Sequence, residues 1–189
     1  MMRAITAAPM ASAMMGMIMI WMIAMPREVM AGASLSDDEK KEIVYGMYAG
    51  YKKKFPAVTD VSPLKAMALM KAGKVVFLDI RTAEEMAVSA LPGAISKEAF
   101  LLHPAFYHDH IIIGYCTISY RSGKFAEEMA AKGIQIRNLA GGLLAWVLEG
   151  GKVYENGAET RRIHVYGKKW NYPPAGYDSV VFRPLERLF

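Results

Sequence analysis

Two short apolar runs, Lys74 to Ile80 (KVVFLDI) and Ile111 to Tyr115 (IIIGY), constrain this chain more than any other feature. Neither alternates in polarity and neither is long enough for a helix, so each predicts a strand buried on both faces. Helical signals follow each one. Thr82 caps a helix through Glu84 and Glu85 after the first run. After the second, Ser122 to Lys132 turns Phe125, Ala126, Met129 and Ala130 to one side and stops at Gly133. A third strand over Ile134 to Leu139 leads to a helix over Gly142 to Leu148, closed by Gly150-Gly151. Strands alternating with helices at this spacing predict an α/β fold, a parallel sheet with helices on both faces.

Upstream, Ser36 and Glu39 form a capping box, with Asp37 and Asp38 at the positive helix end. Val44, Met47, Tyr48, Tyr51 and Phe55 then recur at helical spacing, which predicts an amphipathic packing helix ending near Pro56. Ser62-Pro63 opens a second helix that ends near Gly73, and a short helix is expected around Lys97 to Leu102. A chain of 189 residues that is 53% hydrophobic can bury a core without disulfides, and its single cysteine permits no internal one. The net charge of +5 favours anionic small molecules, but no Lys/Arg cluster is interleaved with aromatics, so nucleic acid is not expected as a partner.

The N-terminus reads differently. Ala4 to Met25 carries no charge, Arg3 precedes it, and Ala31-Gly32-Ala33 follows with Ser34 next. A basic start, an apolar middle and an A-x-A site describe an export signal over residues 1–33, and hence a periplasmic or secreted protein. The run is also long enough to remain as a membrane anchor. The first residue of the purified protein separates the two: Ser34 after cleavage, Met1 or Met2 without it.

Chemistry concentrates in Cys116-Thr117-Ile118-Ser119-Tyr120-Arg121-Ser122. Cys116 ends a strand directly before a helix, where ligands of open α/β sheets bind. Unpaired N–H groups, the helix dipole and a nest of successive amides favour thiolate over thiol there, and Arg121 adds a fixed positive charge. A lone cysteine is usually a small buried hydrophobe. The order strand, cysteine, short polar loop, arginine, helix argues instead for a reactive one.

The same segment resembles the active-site loop of rhodanese-like sulfurtransferases. Phe77-Leu78-Asp79-Ile80-Arg81 with Glu84-Glu85 resembles that family's strand and Asp-x-Arg block. Leu91-Pro92-Gly93-Ala94-Ile95 resembles its Pro-Gly-Ala turn, and Asn138 to Trp146 its closing Gly-Gly…Ala-Trp helix. The resemblance spans residues 61–154 and implies an open parallel sheet of about five strands. An N-terminal helix (34–60) would precede this domain and an extension (155–189) would follow it. Cys116 would be catalytic and form a persulfide. Thr117, Ile118, Ser119, Tyr120, Arg121 and Ser122 would bind substrate, with Asp79 and Arg81 in support. No cofactor or metal is called for. The partners implied are a small anionic sulfur donor, such as thiosulfate or a persulfide, and a thiol or cyanide acceptor.

Four residues separate Cys116 from Arg121, whereas cysteine-based phosphatases use five to wrap a tetrahedral phosphate, so sulfur transfer is the expected activity. The sequence departs from the family pattern at Ser119, where glycine is common, and at Ser89-Ala90, where Gly-His is common. Thr117 and Ile118 are neutral, unlike the basic residues of thiosulfate-specialised members, which leaves the donor open. A module that carries or senses reactive sulfur, or binds a protein through its extension, is the alternative. A simple thiol redox role lacks a resolving cysteine. His108-Asp109-His110 reads as a solvated turn rather than a metal site, Trp146 as core, and the aromatic-rich extension as packing on the domain, with a lid over Cys116 as the other reading.

Overall fold

At the centre lie five parallel strands in the order β1-β5-β4-β2-β3: Asp60–Val61 (β1), Val75–Asp79 (β2), Ile95–Ser96 (β3), Ile111–Tyr115 (β4) and Arg137–Leu139 (β5). The computed structural model describes residues 34–182, and those from Leu35 on form one compact unit. The expected export signal or anchor lies outside the described residues, as does the end of the extension from residue 183. Among the described residues no helix is long and apolar enough to cross a membrane.

The helices form where their caps predict. Ser36 and Glu39 close a capping box on α1 (Asp37–Lys52), and Ser62 caps α2 (Pro63–Lys71). Thr82 and Glu85 form a second box on α3 (Ala83–Val88), and Ser96 caps α4 (Lys97–Leu102). Past the cysteine loop, α5 (Tyr120–Ala130) begins two residues before Ser122, because Ser119 turns the chain in the left-handed region and helical backbone starts at once. Then comes α6 (Gly142–Leu148).

Two apolar clusters lie within this frame. One gathers Phe77, Ile113, Tyr115 and Leu139 with Leu143, Leu144 and Trp146 of α6. The other joins Leu78 and Ile112 to Phe100 of α4 and Phe125, Ala126 and Met129 of α5. Val44 of α1 enters the first and Tyr48 the second, so α1 clamps both. Trp146 is core, as expected, edge-on to Phe77 at 5.2 Å with its Nε1 donating to the Lys152 carbonyl.

The extension forms two short strand pairs. A hairpin, β6 (Val153–Glu155) and β7 (Ala158–Thr160), turns at Asn156-Gly157 and fixes itself to the domain through the Ala90–Tyr154 bridge. β8 (Arg162–His164) pairs in parallel with β9 (Asp178–Val180). Ile163, His164 and Val165 are buried, which anchors this part of the extension on the domain.

Candidate active site

The loop leaving β4 is held from below by α6. Leu143 and Leu144 N–H groups donate to the carbonyls of Cys116 (2.9 Å) and Thr117 (3.2 Å). In a trans peptide the carbonyl and the following N–H point in opposite directions, so the Thr117 and Ile118 amides turn away from α6. Among the described residues, the N–H groups of Thr117, Ile118 and Ser119 have no acceptor. The loop therefore presents successive amide donors without an acceptor among the described residues.

Gly142 makes that close approach feasible. A β-carbon there would sit 2.4 Å from the Cys116 carbonyl oxygen and 2.9 Å from the nitrogens of Ile118 and Ser119, and its φ is +62°. Both the contact and the dihedral demand glycine. Ser119 adopts φ +69°, the conformation that glycine would take without strain. Its hydroxyl donates to the Leu139 carbonyl, and its own carbonyl accepts from Gly123 N–H and Asn138 Nδ2. Ser122 Oγ donates to Asn138 Oδ1 at 2.7 Å. The side chains of Ser119 and Ser122 thus face the scaffold and brace the loop.

Cys116, only 2% exposed, opens onto a cavity of about 340 Å³ lined also by Tyr51, Thr117, Ile118, Tyr120, Arg121, Tyr166 and Trp170. Arg121 donates through both terminal nitrogens to Glu85, at 2.7 and 2.8 Å, and its guanidinium lies 5.0 Å from the Tyr166 ring centre. Burial opposes that charge, but the bonds to Glu85 and the neighbouring Cys116 side chain hold Arg121 above its ordinary value. Glu85 is buried too, which alone would raise its carboxyl. His164 and Arg121 outweigh burial and keep it well below the usual glutamate range. His164 Nδ1 lies 3.0 Å from Glu85 Oε1, in contact but off the line of an N–H bond.

Asp79 and Arg81 stand apart from the cavity. They form a sealed pair at 2.6 Å, and Asp79 also accepts from the Tyr115 hydroxyl while Arg81 donates to the Ser89 carbonyl. His108 and Asp109 are exposed, and among the described residues no cluster could hold a metal ion.

A family model for the rhodanese-like domain matches residues 62–149. Those residues are a rhodanese-like domain. The chain is also similar to the thiosulfate sulfurtransferase of Pseudomonas aeruginosa, at 21% identity and a TM-score of 0.49 over 64% of this chain and 23% of that one. Similarity to a Rhodopseudomonas palustris protein of unknown function, described as a possible tyrosine phosphatase, covers 65% of this chain and 97% of that one, at 22% identity and a TM-score of 0.45. A rhodanese-like domain protein from Staphylococcus aureus is 26% identical, over 47% of this chain and 91% of its own, with a TM-score of 0.41. No curated protein matches the chain.

Two site features escaped the sequence reading. Glu85, read there as a first-turn helix residue, carries Arg121. Tyr51, expected only as part of a packing face, lines the cavity of the rhodanese-like domain. Tyr166 and Trp170 of the extension line it as well, so the extension both packs on the domain, as expected, and forms a wall beside Cys116. The aromatic content of both segments was the only local signal.

Proposed function

We propose that this rhodanese-like domain transfers sulfane sulfur through a persulfide on Cys116. The observation that carries the reading is the placement of the sole cysteine at a cavity, on a loop whose next three amides have no acceptor among the described residues. The Cys116 thiolate attacks the outer sulfur of a donor such as thiosulfate. The donor's S–S bond breaks, its electron pair leaves with sulfite, and the Cys116 persulfide carries the negative charge. The free amides stabilise that terminal sulfur as an oxyanion hole would. An acceptor thiolate or cyanide then attacks the outer sulfur, leaves as a persulfide or thiocyanate, and regenerates the Cys116 thiolate. Arg121, held by Glu85, braces the loop beside the reacting sulfur.

Mass spectrometry tests this directly. Incubation with thiosulfate, benzenethiosulfonate and glutathione persulfide in turn should add one sulfur atom with at least one donor. The gain should be reversed by cyanide and absent in Cys116→Ser. No gain with any of the three would sink the proposal. A carrier or sensor of reactive sulfur is the second reading, favoured by the near-complete burial of Cys116; it predicts that the persulfide forms but turns over slowly with every acceptor.

A further inference from the structure

The cavity over Cys116 is walled by four aromatic rings contributed by three separate regions. Tyr51 comes from α1, Tyr120 from the start of α5, and Tyr166 and Trp170 from the extension. They brace one another. Tyr51 and Tyr120 lie 5.4 Å apart, Tyr166 and Trp170 meet edge-on at 5.4 Å, and Trp170 Nε1 donates to the Tyr51 hydroxyl at 3.1 Å. Rings fixed in this way offer contact area at little ordering cost.

Charge in the same space is arranged differently from what a small dianion needs. Arg121 is the one cation among the described lining residues, and both its terminal nitrogens are bonded to Glu85. A dianion would have to compete with that carboxylate for the guanidinium while approaching both Glu85 and the Cys116 thiolate. Thr117 and Ile118 add no charge. They supply free amides, and Thr117, buried in the same wall, has a hydroxyl without a hydrogen-bond partner among the described residues. These donors suit one anionic group with oxygens of low charge. The volume of about 340 Å³ lies at the lower end of ordinary small-molecule sites and exceeds what thiosulfate fills.

We infer that the donor for this site is a monoanion bearing an aromatic or comparably flat apolar body on its sulfane sulfur group, of the organic thiosulfonate class, rather than thiosulfate. This rests on the sulfur-transfer reading above. With an organic thiosulfonate, the Cys116 thiolate takes the outer sulfur, the S–S bond breaks and the organic sulfinate leaves with the electron pair. The body of the leaving group lies against Trp170 and Tyr166.

The test compares kcat/KM for benzenethiosulfonate and thiosulfate in the full chain with cyanide as acceptor, each divided by that donor's rate with free cysteine. Benzenethiosulfonate should be favoured by roughly tenfold or more, the usual size of discrimination by an apolar pocket. Trp170→Ala should remove most of that preference by raising KM for benzenethiosulfonate several-fold more than it changes KM for thiosulfate. Trp170→Phe should restore most of it. A wild-type ratio near one or below, or an equal loss for both donors in Trp170→Ala, would overturn the inference while leaving sulfur transfer intact. Failure of every donor to load Cys116 would instead overturn the function on which it rests.

Discussion

Two arginine–carboxylate pairs sit just beyond the carboxyl ends of neighbouring strands, and they behave as different objects. Arg81, after β2, donates to both Asp79 oxygens from Nε and from Nη2 to Oδ2, and both side chains are wholly buried. The Tyr115 hydroxyl completes that cluster by donating to Asp79 and accepting from Leu91 N–H. Arg121, after β4, makes an end-on bidentate contact with Glu85 through its two terminal nitrogens, yet its side chain is 31% exposed and borders the cavity. A sealed pair ties elements together. A pair open on one side can hold a charge beside a reacting atom, so the surroundings rather than the motif separate scaffold from site.

The largest expected effect tests the sealed pair. Arg81→Met leaves the Asp79 carboxylate buried and unpaired, and losing one partner of such a pair costs about 3–5 kcal/mol. Urea denaturation should show that loss, while the fraction of folded protein that gains sulfur should stay near the wild-type level. Adding Asp79→Leu should return much of the stability, because it removes the stranded charge. Full stability combined with lost sulfur loading in Arg81→Met would break the comparison and move this pair into the site.

Glu85→Gln probes the open pair and should cost less, about 1–2 kcal/mol at neutral pH, because a charge-assisted contact is lost but solvent screens one side of it. Its signature is the pH dependence. The Glu85 carboxyl is held below its ordinary value of 4.5 when folded, so the stability it contributes is complete above that value and fades as pH falls below it. Wild type should therefore lose more stability than Glu85→Gln between neutral and strongly acid pH, and the two curves should converge. Parallel curves would show that Glu85 titrates no differently in the folded protein than in the unfolded chain.

Sequence alone revealed the parts of this architecture that are local. The caps at Ser36, Ser62 and Thr82, the uninterrupted apolar runs of β2 and β4, and the glycines ending helices each act within a few residues, and the structure places elements there. The two-residue strands β1 and β3 carry no periodic signal because they are too short to have a period. Asn156-Gly157 is a recognised hairpin signal, but its flanking strands of three residues each are too short to show alternation. The cysteine loop was legible because its chemistry is contiguous. Its support was not, since Glu85 reaches Arg121 across 36 residues, and Trp170 meets Tyr51 across 119. Pairings of that span are set by the packed sheet, not by neighbours in the chain.

Backbone strain sharpens the contrast between the two pairs, with the smallest expected effect. Asp79 to Arg81 runs through ordinary dihedrals, whereas the path to Arg121 passes through Ser119 at φ +69°, where a non-glycine residue costs about 1 kcal/mol. The Ser119 hydroxyl bond to the Leu139 carbonyl offsets this, at about 1 kcal/mol. Ser119→Gly loses the bond and the strain together, so its stability should remain within about 0.5 kcal/mol of wild type, the range of a near-neutral substitution. Ser119→Ala keeps the strain and loses the bond, and should fall by about 1 kcal/mol or more with a buried carbonyl left without that donor. Equal stabilities for the two variants would mean that the dihedral stores nothing, and that the loop carrying Arg121 is as relaxed as the turn carrying Arg81.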